Sequence, residues 1–371
     1  MNVRTTLRRM LGPPLKRHAP QLWRGAIAAD VALERTRGFA ARALPVLIRA
    51  QPRSIDIAVT ARCNLRCIGC RYGRDFMPGH ELTLSMVREL LDDAAEAGLW
   101  NVRLYGGEPL LHPDLPAMVA HACARRLQVY VTTNGLLLDR RIDALVEAGL
   151  RQVTIGFYGT DAHYDAYVQR RDRFGALERS IAAVRERYGD VVSLRINWLL
   201  MRPSCNLEDL AAAIAFARRY SLRVQVDLIH YSLPYFSEGP ERMLQFRPQD
   251  KAAIEVVVAE LLRLKRAEPE RFNQSEAALR SIPDWLLLGP AMRVACDAGQ
   301  MLWVGADGSV QLCYVTFPLG NLHERRLRDM LFTKAHHAAA RGAWALDCPN
   351  CHCRYDDRVA KDSLIAAKYR R

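Results

Sequence analysis

Six short apolar runs punctuate the chain between residues 54 and 229: SIDIAVT (54–60), NVRLY (101–105), LQVYVTT (127–133), RQVTIGF (151–157), VSLRINWLL (192–200) and LRVQVDLI (222–229). Amphipathic helical patterns fill the gaps, over Leu84–Ala97, Asp114–Arg126, Asp139–Ala148, Ala176–Tyr188 and Leu207–Tyr220. In the first of these, Met86, Leu90, Leu91 and Ala94 share one face, while Glu89, Asp92, Asp93 and Glu96 lie toward the other. Gly98 and Gly149 stand where helix C-termini end. Strands that alternate with helices pair in parallel, because each crossover helix returns the chain to the same end of the sheet. The rhythm predicts an α/β fold of parallel βα units, closed into a full or partial barrel or laid out as an open doubly wound sheet. In a barrel, chemistry collects at the strand C-terminal ends.

The texture changes after the sixth run. Residues 231–247 read as loop, residues 249–266 as a strong helix with Ile254, Val257, Val258, Leu261 and Leu262 on one face, and the stretch to about 290 as mixed. A cysteine-bearing section opens at Ala291. The expected organisation is a basic helical extension (1–52), the barrel (53–235), a helical linker (236–290), a small Cys-rich α+β section (291–358) and a basic tail (359–371).

With 371 residues, half of them hydrophobic, the chain can bury a sizeable core. No apolar run reaches the ~18 residues of a membrane span, and the N-terminus lacks the h-region of a secretory signal. Ten cysteines without such a signal point to metal or redox chemistry in the cytoplasm rather than to disulfides. The net charge of +13 is concentrated at the start, where residues 1–50 hold ten Arg/Lys against Asp30 and Glu34. Charge runs are commonly solvated faces; the sharper reading is peripheral contact with an anionic membrane or acidic partner. No RNA module or aromatic-interleaved basic strand points to nucleic acid.

The stretch VTARCNLRCIGCRYG puts Cys63, Cys67 and Cys70 on the loop leaving the first strand. Zinc usually takes four protein ligands, and an iron–sulfur cube has four corners. Three thiols on one loop favour a cube with one iron left open, and Gly69 gives the loop room.

CNLRCIGC resembles the signature of the radical S-adenosylmethionine (SAM) superfamily, and YGGEPLL, at the end of the second strand, is similar to that family's Gly-Gly-Glu-Pro motif. The resemblance implies a partial (βα)6 TIM-like barrel with a [4Fe–4S] cluster on the three cysteines. SAM would chelate the open iron, and its reductive cleavage would give a 5′-deoxyadenosyl radical that takes a hydrogen atom from an unactivated carbon. Gly106 and Gly107 would let the backbone approach the cofactor's ammonium, Glu108 would accept a hydrogen bond from it, and Pro109 would end the strand. TTNG, with Thr133 and Asn134, resembles the family's stretch near SAM, although Asn134–Gly135 is also a turn signal. Arg195 and Asn197 stand where family members place polar residues against SAM. Two departures stand out. Gly69 replaces the aromatic residue that often precedes the third cysteine, and GFYGT puts Phe157 and Tyr158 where many members have Leu and Asp.

The C-terminal section resembles the SPASM/twitch type of auxiliary-cluster domain. Cys296 and Cys313 flank an expected ADGSV hairpin, and Cys348, Cys351 and Cys353 follow. Five cysteines imply the shorter, twitch-like form with one auxiliary [4Fe–4S] on Cys296, Cys313, Cys348 and Cys351, with Cys353 as understudy or spare; a four-cysteine zinc knuckle shares such spacing. A redox-neutral outcome needs a hydrogen donor, for which Cys205 and Cys353 are candidates. Asp227, His230 and Tyr231 end the sixth strand and could line a substrate pocket. Cys123 reads as core and the pair His336–His337 as surface. The leading expectation is a radical SAM oxidoreductase or isomerase acting on a small molecule such as a sugar, aminocyclitol or lipid-linked glycan, with a flavodoxin- or ferredoxin-like reductant. The alternatives are a maturase that modifies a peptide and a non-catalytic, zinc-stabilised binding protein.

Overall fold

In the computed structural model, which describes residues 19–231, 239–314 and 316–370, all six runs are strands within a residue of their sequence limits. They are β1 (Ser54–Thr60), β2 (Asn101–Gly106), β3 (Gln128–Thr133), β4 (Gln152–Phe157), β5 (Ser193–Leu200) and β6 (Arg223–Leu228). The helices up to β6 are α1 (Pro20–Ala41), α2 (Leu84–Glu96), α3 (Leu115–Ala124), α4 (Leu138–Glu147), α5 (Asp161–Val168), α6 (Arg173–Tyr188) and α7 (Leu207–Arg219). Beyond β6 follow α8 (Lys251–Ala267), α9 (Glu276–Leu288), α10 (Leu327–Met330), α11 (Lys334–Ala345), α12 (Tyr355–Lys361) and α13 (Ser363–Lys368).

β1 to β6 pair in parallel in chain order, and the sheet runs on past β1. There β7 (Met301–Val304) adds in parallel with Ser54 opposite Met301, and β8 (Ser309–Gln311) and β9 (Pro318–Asn321) follow antiparallel. The nine strands form one open sheet rather than a closed barrel, and the Cys-rich section continues the sheet instead of standing apart.

Each strand alternates. Ile55, Ile57, Val102, Leu104, Val131, Val153, Ile155, Ile196, Trp198, Val224 and Val226 are wholly buried among the core apolar residues, each aliphatic side chain worth about 2 kcal/mol. The intervening residues Asp56, Arg103, Tyr130, Thr154, Arg195, Asn197, Gln225 and Asp227 line a cavity. Both free edges of the six-stranded core are used by the C-terminal half. β7 takes the β1 edge. On β6, Val224 N donates to Arg271 O (2.7 Å), Gln274 exchanges two hydrogen bonds with the Val226 backbone, and Tyr355 Oη donates to Val226 O (3.2 Å).

Four sequence expectations need correction. Pro20 stands at the start of α1, where proline is favoured. The helix is docked: Asp30 and Glu34 hold Arg53 at 2.8 and 3.0 Å, and Arg35 Nε donates to Ala360 O (2.7 Å). Five of the ten basic residues of the extension, Arg4 to Arg17, lie outside the described residues. The mixed stretch before residue 290 contains α9, in which burial of Leu279, Ile282, Trp285 and Leu286 outweighs Pro283 inside the helix. Asp93 is not on a solvated face but buried, accepting from Arg326 (2.8 Å) and Arg328 (2.7 Å) of the C-terminal half. His336 is buried too, its Nδ1 accepting from Phe332 N at 3.1 Å.

Candidate functional site between two cysteine groups

The loop leaving β1 is pinned from three sides. Arg66 N and Ile68 N donate to Val168 O (3.2 Å) and Tyr167 O (2.9 Å) at the end of α5, Asn134 Nδ2 donates to Asn64 Oδ1 (2.7 Å), and Arg74 donates to Cys70 O (2.5 Å). A π turn, Tyr72–Phe76, follows the third cysteine, a rare geometry that recurs at functional sites. The Tyr72 hydroxyl accepts from Ala306 N (3.2 Å), which ties the loop to the β7–β8 hairpin.

Cys63, Cys67 and Cys70 line one cavity of about 580 Å³, and so do Cys296, Cys313, Cys348, Cys351 and Cys353. The second group is assembled from the segment before β7, the end of β8, and the loop between α11 and α12. Volumes of this order suit a cofactor or small substrate. Burial pushes the Cys63 and Cys296 thiols up to about 12, and it pushes Cys67 well up, with Cys70 and Cys63 adding repulsion. Thiols of this kind become ligands only when a cation replaces their protons.

Among the described residues, no three His, Cys, Asp or Glu side chains converge on a point suited to a single ion. A four-iron cube takes one thiolate per iron and so spreads its ligands, and thiolates are its donor set. The thiol donor set of the first group suits an iron–sulfur cube with one iron left open.

The family-type residues divide. Gly106, Gly107, Thr133, Asn134, Arg195 and Asn197 line the cavity, whereas Glu108, Pro109 and Cys205 do not. Glu108 is fully buried, and its carboxylate accepts from Thr133 Oγ1 (2.6 Å), Asn134 N (2.7 Å) and Leu110 N (3.0 Å). It knits the ends of β2 and β3 together. The glycines also answer to packing: a Cβ on Gly106 would sit 2.2 Å from Thr60 O, and one on Gly107 2.4 Å from Arg62 O. Cys205 is buried beside a short 3₁₀ turn, away from the cavity, with burial pushing its thiol up to about 12. Cys353 Sγ lies 3.8 Å from both ring nitrogens of His230, whose burial takes it down to about 4 and keeps it neutral. Tyr158 stacks on Tyr167 with centroids 4.3 Å apart and forms part of the wall near the first group. Asp227 lines the cavity and accepts from Asn197 Nδ2 at 2.9 Å.

Sequence reasoning missed a tie between the groups. Tyr314, next to Cys313, donates to Asp56 Oδ2 (2.7 Å) and accepts from Arg103 (2.8 Å), and Arg103 also donates to Thr132 Oγ1 (2.9 Å). The signal was present in the polar–apolar alternation of the parallel strands. Such strands, when buried on both faces, read as continuous apolar runs, so alternation marks a polar lumen.

Residues 57–217 match the Radical SAM superfamily. The chain is 36% identical over 182 residues to a GTP 3′,8-cyclase of Chlorobaculum tepidum, covering 47% of this chain and 53% of that protein. A GTP 3′,8-cyclase of Mycolicibacterium smegmatis is 28% identical over 302 residues, 78% of this chain and 80% of the relative. The chain spans about half the length of the first curated relatives it matches. Native anSMEcpe with bound AdoMet superimposes with a TM-score of 0.61 at 16% identity, over 79% of this chain and 84% of that one. Streptococcus suis SuiB bound to precursor peptide SuiA gives 0.61 at 15%, over 88% and 75%. At these identities the structural likeness is one of fold.

Proposed function

We propose that this chain, whose residues 57–217 match the Radical SAM superfamily, is an enzyme taking a hydrogen atom from a small molecule held in the cavity between the two cysteine groups. Cys63, Cys67 and Cys70 would hold a [4Fe–4S] cluster with SAM at its open iron. Cys296, Cys313, Cys348 and Cys351 would hold a second, with Cys353 beside His230. When bound, the first cluster and SAM supply a carbon-centred radical oxidant.

The chain's own part is placement. Gly106 and Gly107 leave β2 against the start of the triad loop, with Gly107 N donating to Thr60 O (2.7 Å), and Asn134 is bonded to Asn64 within that loop. These residues make the wall against which SAM would lie. Deeper in the cavity, Arg103, Tyr130, Asn197 and Asp227 present a polar surface to a substrate. The single observation that carries this reading is that both cysteine groups face one cavity. Its volume favours a small molecule over a peptide, and the names of the curated relatives, which are cyclases of a nucleotide, support that choice. A flavodoxin- or ferredoxin-like protein would deliver the electron.

The test is anaerobic reconstitution of the full chain with iron and sulfide analysis, followed by turnover of candidate metabolites scored by deuterium transfer into 5′-deoxyadenosine. The expected load is about eight irons per chain, as two cubes require. Cys67→Ala should keep about half of that iron and lose SAM cleavage by at least ~100-fold. Retained cleavage in Cys67→Ala would sink the proposal, and label transfer only from peptides would move it to peptide modification.

A further inference from the structure

Most charges lining the cavity have a partner at ion-pair or hydrogen-bond distance, and Arg195 and Asp356 form no ion pair among the described residues. Arg103 has Asp56 at 3.3 Å, Arg354 has Asp297 at 3.4 Å, and Arg358 donates to the Cys351 and Val294 carbonyls and to Asn350 Oδ1. Asp227 has the Asn197 amide. Arg195 donates only to Thr154 Oγ1 (2.8 Å), its Nε is buried without a hydrogen-bond partner, and no carboxylate stands within ion-pair reach among the described residues, although Asp356 attracts it from beyond that reach. A guanidinium offers five N–H donors, and a charge sunk in a wall without a counter-ion costs several kcal/mol. Two residues along β5, about 7 Å further toward the strand's C-terminal end, Asn197 Oδ1 is buried and also lacks a partner. The cavity thus presents a guanidinium with an unused buried donor and, about 7 Å away, a buried unused acceptor; Asp297 Oδ1 and Arg358 Nε in the same lining are unpartnered too, but their side chains already hold other ion pairs or hydrogen bonds.

We infer that Arg195 seats an anionic group of the substrate, a phosphoryl or a carboxylate, and that Asn197 Oδ1 accepts from a hydroxyl or amine on the same molecule. The inference rests on the radical SAM reading for the identity of the cavity as a substrate site. Arg195 pairs in register with Thr154 and Arg223, toward the N-terminal end of the strands, whereas the cysteine triad loop leaves the opposite end. The anion therefore lies at the floor of the cavity and the rest of the molecule extends toward the triad. A bidentate guanidinium contact fixes that direction as well as supplying affinity. Neutral sugars and aminocyclitols leave Arg195 unanswered and are selected against.

Calorimetric titration of the anaerobically reconstituted full chain with inorganic pyrophosphate and, in parallel, malonate tests this. At least one of the two should bind the wild type, pyrophosphate reporting a phosphoryl seat and malonate a carboxylate seat. Arg195→Gln should weaken that anion at least ~10-fold, the worth of a charge-assisted hydrogen bond. Labelled SAM should bind the variant within about twofold of wild type, since the cofactor sits at the other end. If Arg195→Gln melts early, Arg195→Lys decides: it keeps the charge, loses the fork, and should bind the anion about 3-fold more weakly. The inference is overturned if neither anion binds the wild type, if the variants bind it equally well, or if Arg195→Gln weakens SAM by the same factor, because Arg195 would then hold the cofactor's own carboxylate. Iron content and 5′-deoxyadenosine formation report on the radical SAM reading independently, so either can fail alone.

Discussion

Glu108 shows how a single motif side chain can tie two strand ends together. Each of its oxygens accepts a backbone N–H, from Leu110 on one side and Asn134 on the other. Burial pushes the carboxyl up to about 7, opposed by the Thr133, Asn134 and Leu110 donors. Neutral or ionised, Glu108 keeps an acceptor on both oxygens, because its proton can point at the Thr133 hydroxyl. An amide cannot. Glu108→Gln sets an NH₂ against one of the two N–H groups, and we expect a loss of about 2 kcal/mol, read as a drop of several degrees in Tm of the apo chain. The pH sign follows from the raised value. The stability this group contributes is full below about pH 4.5, its ordinary range, and is lost as pH rises through about 7. Urea midpoints from pH 5 to 8.5 should show that decline in the wild type, and the part due to Glu108 should be missing from the Gln variant.

At the scale of elements, the pairing of the C-terminal ends of β1 and β2 leaves no room for a side chain. Gly106 has φ +148°, and its added Cβ would meet the Thr60 carbonyl. Gly106→Ala should cost about 3 kcal/mol or more, seen as poor soluble yield or a strongly lowered Tm. The variant should also lose iron, since Thr60 leads directly into the triad loop; full iron with an unchanged Tm would refute the packing argument. The six strands and the helices α2, α3, α4, α6, α7 and α8 were legible because each carries its own period and its own stops. α9 was not, because Pro283 interrupts the pattern and only the buried contacts of Trp285 and its neighbours hold the helix. α5 was not either, since eight residues are too few for a period to show.

The whole molecule is organised by how its C-terminal half wraps the barrel. One end of that half pairs with β1 through β7, the other reaches β6 through Tyr355, and Asp93 on α2 gathers Arg326 and Arg328. Burial alone would raise the Asp93 carboxyl, but hydrogen bonds from Arg326 and Arg328 bring it below its ordinary value. Both arginines are part-exposed, so solvent screens the pairs, and Asp93→Ala should cost only about 1–2 kcal/mol in thermal unfolding. A continuous sheet also predicts one cooperative unit. In hydrogen exchange of the apo chain, β7 amides should be protected to within about tenfold of those of β1, because neither strand opens without the other. Much faster exchange in β7 would show the Cys-rich half to be a separate domain.

The alternation of strands and helices and the spacing of Cys63, Cys67 and Cys70 are local properties, carried by periods of two to four residues and by one loop. For that reason the chain's letters were enough to give the α/β class, the order of the elements and the first ligand group. Convergence is not local. The meeting of eight cysteines from four segments around one lumen, the diversion of Glu108 and Cys205 away from it, and the unanswered charge of Arg195 depend on which faces the sheet register turns inward and on what else each side chain meets there. Only the folded chain decides those, because hydrogen-bond satisfaction and burial are settled between residues tens to hundreds of positions apart.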